Sequence, residues 1–357
     1  MEKKARVIAF YLPQFHPIPE NDEWWGKGFT EWTNVGKAKP LFKGHYQPRV
    51  PADLGYYDLR VAETIKAQAD MAREYGVEGF CYWHYWFGNG KQLIERPFNE
   101  VVESGEPDFP FCLAWANETW KGFAHGLTNR NVLIEQLYPG EEDYIAHFNK
   151  ILPALKDKRY ITVDGKPLFM VYKPSGIPDN RAFIKLWNDL AIKNGLDGIY
   201  FAGHTTSVSD IDSFLDSGYD AVNIIRLHDH LQNTGLAFRV MRRLKKVIFN
   251  IPRITTYKNA MKSFNGPEDK RENVFPGIFP NWDHSPRSKK EGIILHNSTP
   301  ELFKEHAEKS IDSVKDKPYD KRVIFLKSWN EWAEGNYMEP DLKYGMGYLK
   351  AFKDIIE

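Results

Sequence analysis

Short apolar segments alternate with longer amphipathic segments from one end of the chain to the other. Eight of the short segments are almost continuously apolar, which is typical of parallel strands buried on both faces. They are RVIAFYL (6–12), VEGFCYW (77–83), PFCLAWA (110–116), PLFMVYK (167–173), GIYFAG (198–203), AVNIIR (221–226), VFPGIFPNW (274–282) and RVIFLKSW (322–329). The pattern therefore predicts eight buried strands.

The segments between these strands have the periodicity of amphipathic helices. Helices are predicted over 58–75, 141–157, 179–194, 208–217, 300–315 and 341–356, the second of them interrupted by Pro153. Eight alternating units predict an α/β fold, a single (β/α)8 TIM-type barrel over residues 1–357, for which about 250 residues is typical. A doubly wound sheet is the alternative, but no G-x-G-x-x-G follows the first strand.

Two long loop insertions account for the additional length. The first, about 13–57, follows strand 1 and is rich in proline, glycine and aromatic residues. The second, about 228–273, follows strand 6 and has eight lysines or arginines between Arg239 and Lys262 and no acid. A basic amphipathic segment can lie on an anionic membrane or bind a lipid-linked glycan, so peripheral contact through 239–262 is one hypothesis. A solvated helix that covers the barrel is the simpler alternative.

Composition changes this picture only in part. The 48 basic and 48 acidic residues balance, so net charge gives no indication of a nucleic-acid partner. Aromatic residues make up 15% of the chain, and an aromatic-rich core or a carbohydrate ligand that stacks on the rings explains them equally well. Cys81 and Cys112 lie in strand segments and are predicted to be buried free thiols. Without a signal-peptide pattern or a run of about 18 apolar residues, a cytoplasmic protein is expected, at most peripheral to a membrane.

The residues at the ends of the predicted strands are the candidates for function, because active sites of (β/α)8 barrels form at the C-terminal ends of the strands. Acids, histidines, amides and aromatics converge there, which is typical of a sugar-binding cleft. The candidate substrate-binding residues are Tyr11, Gln14, His16, Tyr82, His84, Trp86, Trp115, Asn117, Glu118, Trp120, His204, Trp282, Asp283, Trp329 and Asn330. For any one of them, a structural role is the alternative. No H-E-x-x-H or G-x-S-x-G motif occurs, so neither a metal nor a serine nucleophile is predicted.

The segment KSWNEWAEGNYMEPD (327–341) carries the strongest chemical signal. Glu331 and Glu334 are spaced so that a helical turn would bring their Cβ atoms roughly 5–6 Å apart. Two carboxylates this close should have their pKa values pushed apart, leaving one as a base and one as an acid. Ordinary glycosidases place their two carboxyl groups on opposite sides of the scissile bond. Neighbours on one turn reach one side more easily, so direct attack by a carboxylate is harder to arrange. Two surface glutamates in a loop are the alternative.

Several motifs, in order, resemble the WbsX-like proteins, a group similar to glycoside hydrolase family 99 and found among polysaccharide and lipopolysaccharide gene clusters. They are FYLPQFHP, WWGKGFTEWTNV, CYWHYWF, LAWANETW and SWNEWAEG. The resemblance extends from Val7 to the final helix and implies a (β/α)8 barrel that acts on glycans. More distantly, NEWAEGNYMEP is similar to the E-W-H-E-G-T-Q-I-E element of the family 99 endo-α-mannosidases.

That similarity implies roles for the acids. Glu331 would be the base that deprotonates the sugar 2-hydroxyl, and Glu334 the acid/base, giving a 1,2-anhydro sugar intermediate and overall retention. Glu339 corresponds to the third acid of the element and would orient the site, and it is also a candidate substrate-binding residue. Ala333 and Tyr337 stand where the mannosidases have His and Gln, so mannose specificity is not implied.

Together, these observations predict a retaining glycosidase for an α-linked bacterial polysaccharide or oligosaccharide, without a metal or cofactor. A glycosyltransferase of O-antigen or lipopolysaccharide assembly and a non-catalytic glycan-binding protein are the alternatives. No strand is followed by the D-x-D that would bind a nucleotide-sugar metal.

Overall fold

Eight parallel strands close into a barrel in the computed structural model, which describes residues 3–122, 131–229 and 252–357. The strands are β1 (Arg6–Tyr11), β2 (Gly79–His84), β3 (Phe111–Trp115), β4 (Lys166–Val171), β5 (Tyr200–Thr205), β6 (Ala221–Ile224), β7 (Val274–Ile278) and β8 (Val323–Leu326). Each strand pairs with the next along the chain, and β8 pairs with β1. The predicted (β/α)8 barrel and its eight strand segments are confirmed.

The described helices connect the strands or lie in the loops above them. They are α1 (Pro19–Trp25), α2 (Glu31–Gly36), α3 (Ala62–Glu74), α4 (Arg96–Ser104), α5 (Glu141–Leu155), α6 (Asn180–Lys193), α7 (Asp210–Asp216), α8 (Tyr257–Ala260), α9 (Ser285–Ser288), α10 (Pro300–Val314) and α11 (Gly347–Ile356). All six predicted helices form.

Two helix predictions need correction. Helix α5 continues through Pro153, which lies in its last turn, so the proline removes one helical hydrogen bond without ending the helix. Helix α11 begins at Gly347 rather than at residue 341. The Asp341 carboxylate accepts hydrogen bonds from the backbone N–H groups of Lys343 and Tyr344, which holds this segment in a turn instead.

The barrel interior is filled by large side chains, which explains why the strand segments lack polar alternation. Phe10 stacks on Trp83 at 4.6 Å between ring centroids and on Phe325 at 5.2 Å. The free thiols Cys81 and Cys112 are both buried, as predicted, at paired positions of β2 and β3. Close packing therefore occupies the centre of the barrel and leaves the strand ends to form the site.

Short elements shape the face at the C-terminal ends of the strands. Trp120–Lys121 pairs with Val132–Ile134, and Arg253–Thr256 pairs with Ile293–His296. Asn330–Glu331 pairs antiparallel with Asn336–Tyr337, and a 3-10 turn at Trp332–Glu334 joins the two. Because it carries the predicted catalytic residues Glu331 and Glu334, this small hairpin, residues 330–337, is called the catalytic hairpin below. At the opposite face, Thr162–Val163 pairs with the start of β4.

The basic segment predicted at 239–262 is only partly within the described residues. Residues 239–251 lie outside them. In the remainder, Tyr257 and Met261 are buried, whereas Lys258 and Lys262 are exposed, so this part packs on the barrel through an apolar face. Contact with an anionic membrane or a lipid-linked glycan stays a prediction. In the part of the chain that the structure describes, no helix has the length and apolar character needed to cross a bilayer.

Candidate active site

A cleft of about 660 Å³ opens at the C-terminal ends of the barrel strands. Aromatic side chains form much of its wall, and charged side chains lie among them. The aromatic members are Trp83, Tyr85, Trp120, Tyr138 and Tyr172, and the charged ones include Arg287, Lys327, Glu331 and Glu334. A cavity beside Tyr46 and Tyr344 has about 30 Å³, enough for one or two water molecules but not for a sugar ring. The cleft is therefore the candidate sugar site.

The catalytic hairpin holds Glu331 and Glu334 at this cleft. Glu331 immediately precedes the 3-10 turn and Glu334 ends it. Gly335 then adopts φ +66°, and a Cβ atom there would lie 2.8 Å from the Cβ of Asp283, so this close approach requires glycine. The Asp283 backbone N–H also donates a 2.7 Å hydrogen bond to the Glu334 carbonyl. The loop after β7 thus fixes the end of the hairpin.

Glu331 is buried and has mainly neutral or distant partners. The Ser328 hydroxyl donates a 2.8 Å hydrogen bond to its Oε2, and Lys327 Nζ lies 3.5 Å from the same oxygen. Burial and the neighbouring Glu334 raise the pKa of Glu331, and Lys327 only partly opposes them. Glu331 is therefore the member of the pair that holds a proton more readily.

Glu334 has strong cationic contacts. Arg287 Nη1 donates a 2.5 Å hydrogen bond to its Oε1, His284 Nε2 lies 3.5 Å from the same atom, and Asn336 Nδ2 donates at 3.2 Å to Oε2. Burial alone would raise the pKa of Glu334, but the Arg287 guanidinium, with His284 and Lys327, brings it well below its usual range. The two pKa values are pushed apart, as predicted. Their directions favour the opposite division of roles from the one that the mannosidase similarity implies.

Glu339 lies beneath the catalytic hairpin rather than in the cleft wall. Its Oε2 accepts hydrogen bonds from Trp332 Nε1 at 2.6 Å and from the Tyr57 hydroxyl at 2.9 Å, and Gln68 Nε2 donates to Oε1 at 2.6 Å. Burial raises the pKa of Glu339 to about 7 against these donors. By fixing Trp332, which lies between the two catalytic candidates, Glu339 is placed to orient the turn.

Four of the predicted substrate-binding residues line the cleft, namely Gln14, Asn117, Glu118 and Trp120. Others lie directly behind it. The Trp282 ring is 5.5 Å from Lys327 Nζ, and His204 stacks on Tyr172 at 5.0 Å. Burial alone would raise the pKa of Asp283, but the hydrogen bond from His45 and the nearby Arg49 lower it to about 2. These residues support the lining rather than form it.

The remaining predicted residues have structural partners away from the lining. The Tyr11 hydroxyl donates to Gln68, His16 Nδ1 is 3.0 Å from the Pro13 carbonyl, and Asn330 bonds both backbone groups of Leu12. Tyr82 and Trp329 are buried within the core, where each contacts the Phe80 ring.

His84, Trp86 and Trp115 join His147 of α5 in what we call the imidazole–indole cluster. His84 Nε2 is 2.8 Å from His147 Nε2, and Trp86 stacks flat on His147 at 4.7 Å. The Trp115 indole donates a hydrogen bond to the Trp86 carbonyl. Helix α5 therefore covers side chains that strand position alone directs toward the site.

Sequence reasoning missed Glu31, Arg287 and Lys327. Arg287 Nη2 is 3.1 Å from Glu31 Oε2, so one guanidinium joins α2 to Glu334. Glu31 and Arg287 are 256 residues apart and belong to no common motif. Five more lining residues, Trp83, Tyr85, Tyr172, Lys173 and His284, lie at or after the ends of predicted strands, so the strand-end rule does point to them. Within the described ranges, no group of three or more His, Cys, Asp and Glu side chains is arranged to hold a metal ion.

Comparison with known proteins gives the same architecture. The family model described as Glycosyltransferase WbsX matches residues 7–352. The uncharacterized protein WxcX, from two strains of Xanthomonas campestris pv. campestris, is 35% identical over 355 residues, which cover 99% of this chain. The chain spans about half the length of these relatives, 50% in each case.

Two solved structures are similar in fold. A glycoside hydrolase-like protein matches with a TM-score of 0.61 at 14% identity, covering 100% of this chain and 95% of its own. The family 99 endo-α-mannosidase from Bacteroides thetaiotaomicron matches with a TM-score of 0.58 at 15% identity, covering 100% and 97%. At these identities the likeness concerns the fold, a TIM barrel of the kind found in glycoside hydrolases.

Proposed function

The chain belongs to the family described as Glycosyltransferase WbsX, and from that premise and the cleft we propose that it is a retaining glycoside hydrolase for an α-linked bacterial polysaccharide or oligosaccharide. One observation carries the proposal. Two buried glutamates with pKa values displaced in opposite directions lie at the bottom of an aromatic-walled cleft. A proton donor and a proton acceptor side by side are the groups that cleavage of a glycosidic bond requires.

The position of both glutamates on one short hairpin supports catalysis assisted by the substrate. In the first step, one glutamate removes the proton of the 2-hydroxyl, whose oxygen attacks C1 while the other glutamate protonates the leaving oxygen. The products are a 1,2-anhydro sugar and the departing alcohol. Water then attacks C1, the epoxide C1–O bond breaks, and the protons return to their starting positions. Two inversions at C1 give overall retention.

This chemistry limits the substrate. Back-side attack at C1 needs the 2-oxygen to lie opposite the leaving oxygen, so the cleaved sugar is a 1,2-trans α-glycoside with a free 2-hydroxyl. The rings of Trp83, Tyr85 and Trp120 offer apolar faces for sugar C–H groups. Asn117, Glu118 and Lys173 offer polar groups for hydroxyls along the same cleft.

The proposal is tested by incubating the purified chain with defined bacterial polysaccharides and identifying the first-formed anomer by NMR. We expect one α-linked glycan to be cleaved with retention. Glu331→Gln and Glu334→Gln should lose turnover but keep glycan binding. Glu308→Gln, on the exposed face of α10, is the matched control and should cleave normally. Turnover like that of the wild type in both site variants would contradict the proposal.

A glycosyltransferase is the second candidate, because the family description names that activity. A transferase would bind a nucleotide sugar and pass its glycosyl group to an acceptor. Saturation-transfer NMR with a panel of nucleotide sugars separates the candidates, since a hydrolase of this kind needs no nucleotide. A non-catalytic glycan-binding protein would instead bind a glycan without turnover, and its affinity would be insensitive to either Gln substitution.

A further inference from the structure

Five charged side chains form a continuous group at the bottom of the cleft. Glu31, Arg287, Lys327, Glu331 and Glu334 are each 9% exposed or less, and we call them the buried charge cluster. With the neighbouring His284 imidazole in its neutral form, two cations and three carboxyl groups balance when one carboxyl group carries a proton. Because an uncompensated buried charge is costly, the cluster is most stable with one proton in place.

Arg287 decides which carboxyl group stays ionised. Its Nε donates to Glu31 Oε2 at 3.2 Å, its Nη2 lies 3.1 Å from the same oxygen, and its Nη1 donates to Glu334 Oε1 at 2.5 Å. Asn34 Nδ2 also donates to Glu31, at 3.3 Å, and fixes that carboxylate within α2. A guanidinium does not release its proton, and its bonds to carboxylates are short and strong. Glu31 therefore holds one edge of the Arg287 guanidinium, and the other edge of the same guanidinium faces Glu334.

Lys327 gives Glu331 much less support. Its Nζ is 3.5 Å from Glu331 Oε2 and lies over the rings of Trp83 and Trp282, 5.5 Å from each centroid. The short hydrogen bond to Glu331 comes from the neutral Ser328 hydroxyl. The proton of the cluster is therefore better accommodated on Glu331 than on Glu334.

We infer that Glu31 and Arg287 are positioning residues that keep Glu334 as a carboxylate, so that Glu334 takes the 2-hydroxyl proton and Glu331 protonates the leaving oxygen. The assignment of these steps rests on the proposed function. During the first step Glu334 gains a proton and Glu331 loses one, so the net charge of the cluster does not change. In the second step Glu331 takes a proton from water and Glu334 returns one to O2.

Other polar groups that face Glu334 do not reverse this order. His284 approaches from the loop after β7, Asn336 from the catalytic hairpin, and Lys327 from the end of β8. Tyr85 and Tyr172, at the ends of β2 and β4, interact with both glutamates. His284 and Lys327 both stabilise the carboxylate form of Glu334, and the tyrosine hydroxyls are neutral at the working pH.

The protonation states are measured without substrate, by a carbon-13 NMR titration of the full chain labelled at the glutamate side-chain carboxyl groups. Glu331→Gln and Glu334→Gln assign the two signals. We expect Glu331 to titrate above an ordinary glutamate and Glu334 to remain a carboxylate through the accessible acid range. Arg287→Met should raise the pKa of Glu334 by more than one unit, and Arg287→Lys should restore most of the change. Glu31→Gln removes a negative charge, so it should lower the pKa of Glu331.

Arg226→Met is the matched control, because Arg226 also joins two carboxylates, Glu268 and Asp269, away from the cleft lining. It should leave both site signals in place. A Glu334 pKa above that of Glu331, or one unchanged in Arg287→Met, overturns the inference. If the methionine variant does not fold, Glu31→Gln decides the question, because a Glu331 pKa that does not fall in this variant would overturn the inference.

Once a cleaved glycan is known, the glycosyl fluoride of its sugar tests the roles themselves. Fluoride leaves without protonation, so Glu331→Gln should retain most of the fluoride release of its first step on this substrate, although its second step still lacks the base for water, and Glu334→Gln should not release fluoride. The reverse result would overturn the assignment while leaving the proposed hydrolase intact. Absence of any glycan cleavage would contradict the hydrolase and not the measured protonation states.

Discussion

The buried charge cluster and the imidazole–indole cluster lie at the same end of the barrel, and both contain polar side chains from strand ends. In the first, Glu334 meets a guanidinium and lines an open cleft. In the second, His84 meets His147 of α5, and His147 packs against the indole rings of Trp86 and Trp115. The first keeps its charges because each has a partner, whereas the second keeps its imidazoles neutral because water is excluded.

The two clusters differ in the side chain that the covering segment places over the strand ends. Helix α5 places His147, a large and uncharged side chain, over the ends of β2 and β3. The loop after β7 instead places Arg287 beside the end of β8 and leaves space above it. A strand-end position therefore makes a residue available to a site, and the covering element decides whether it takes part.

The comparison predicts, first, that substitutions in the buried charge cluster cause a large loss of turnover and that substitutions in the imidazole–indole cluster do not. Glu331→Gln and Glu334→Gln each remove a group for proton transfer, which should reduce kcat by roughly 10²–10⁴-fold. Steady-state kinetics on the identified glycan measure this loss, and urea denaturation should show a folded protein in both cases. An equal loss of kcat in a folded Trp115→Ala variant would remove the distinction between the clusters.

Trp115→Ala should instead affect stability. The indole is 1% exposed and contacts His147 and Phe183, so its removal leaves a large cavity. We expect the free energy of unfolding to fall by about 3–5 kcal/mol, with KM unchanged for the folded enzyme. Urea denaturation followed by tryptophan fluorescence and circular dichroism measures this change. A changed KM with full stability would place Trp115 in the cleft.

The imidazole–indole cluster should also make stability depend on pH. Burial lowers the pKa of His84 to about 3 and that of His147 well below its usual value. The native imidazoles stay neutral below pH 6.5 while the unfolded ones take up protons, so stability falls as the pH falls. Each imidazole should lower the free energy of unfolding by about 1.4 kcal/mol for every pH unit below 6.5, and should have no effect on it above that pH.

Urea denaturation between pH 7 and pH 5 tests this dependence. In His84→Gln, which removes one titrating group, the slope of the unfolding free energy against pH should be smaller by the contribution of one imidazole. An unchanged slope would mean that His84 titrates normally in the native state.

The smallest effect is expected at the cleft margin. Lys173 and Glu118 form an ion pair of 3.4 Å in which both side chains are about half exposed. Such pairs contribute roughly 0–1 kcal/mol, so Lys173→Met should leave the unfolding free energy almost unchanged while raising KM a few-fold. Differential scanning calorimetry and glycan kinetics give the two values. A loss of stability comparable to that of Trp115→Ala would show that the margin is structural.

The sequence was sufficient for most of the fold. Strands such as β1 and β8 are recognisable because burial on both faces removes polar residues from them, and this property is local. Helix α5 was recognised too, but not its passage through Pro153, since a proline beyond the first turn usually kinks or ends a helix.

The site was predictable only where its residues are neighbours in sequence. Glu331 and Glu334 belong to one hairpin, so their spacing indicates a shared role. Arg287, which sets their ionisation, lies 47 residues before Glu334 in the sequence. Glu31, whose carboxylate holds Arg287, lies a further 256 residues before Arg287. Whether a strand-end residue such as Trp86 is buried depends on α5, and the sequence pattern of strand β2 does not predict that burial.

The first insertion and the catalytic hairpin are joined at several points. Glu31 holds Arg287, Trp32 contacts Trp332 at 5.4 Å between ring centroids, Arg49 donates to the Gly335 carbonyl, and Tyr57 donates to Glu339. Anyone who exchanges loops among related barrels to obtain a new sugar preference would therefore have to move these two segments as a pair. The interchangeable parts for such engineering are the cleft walls from the ends of β2, β3 and β4, which can vary without disconnecting the acids from their support.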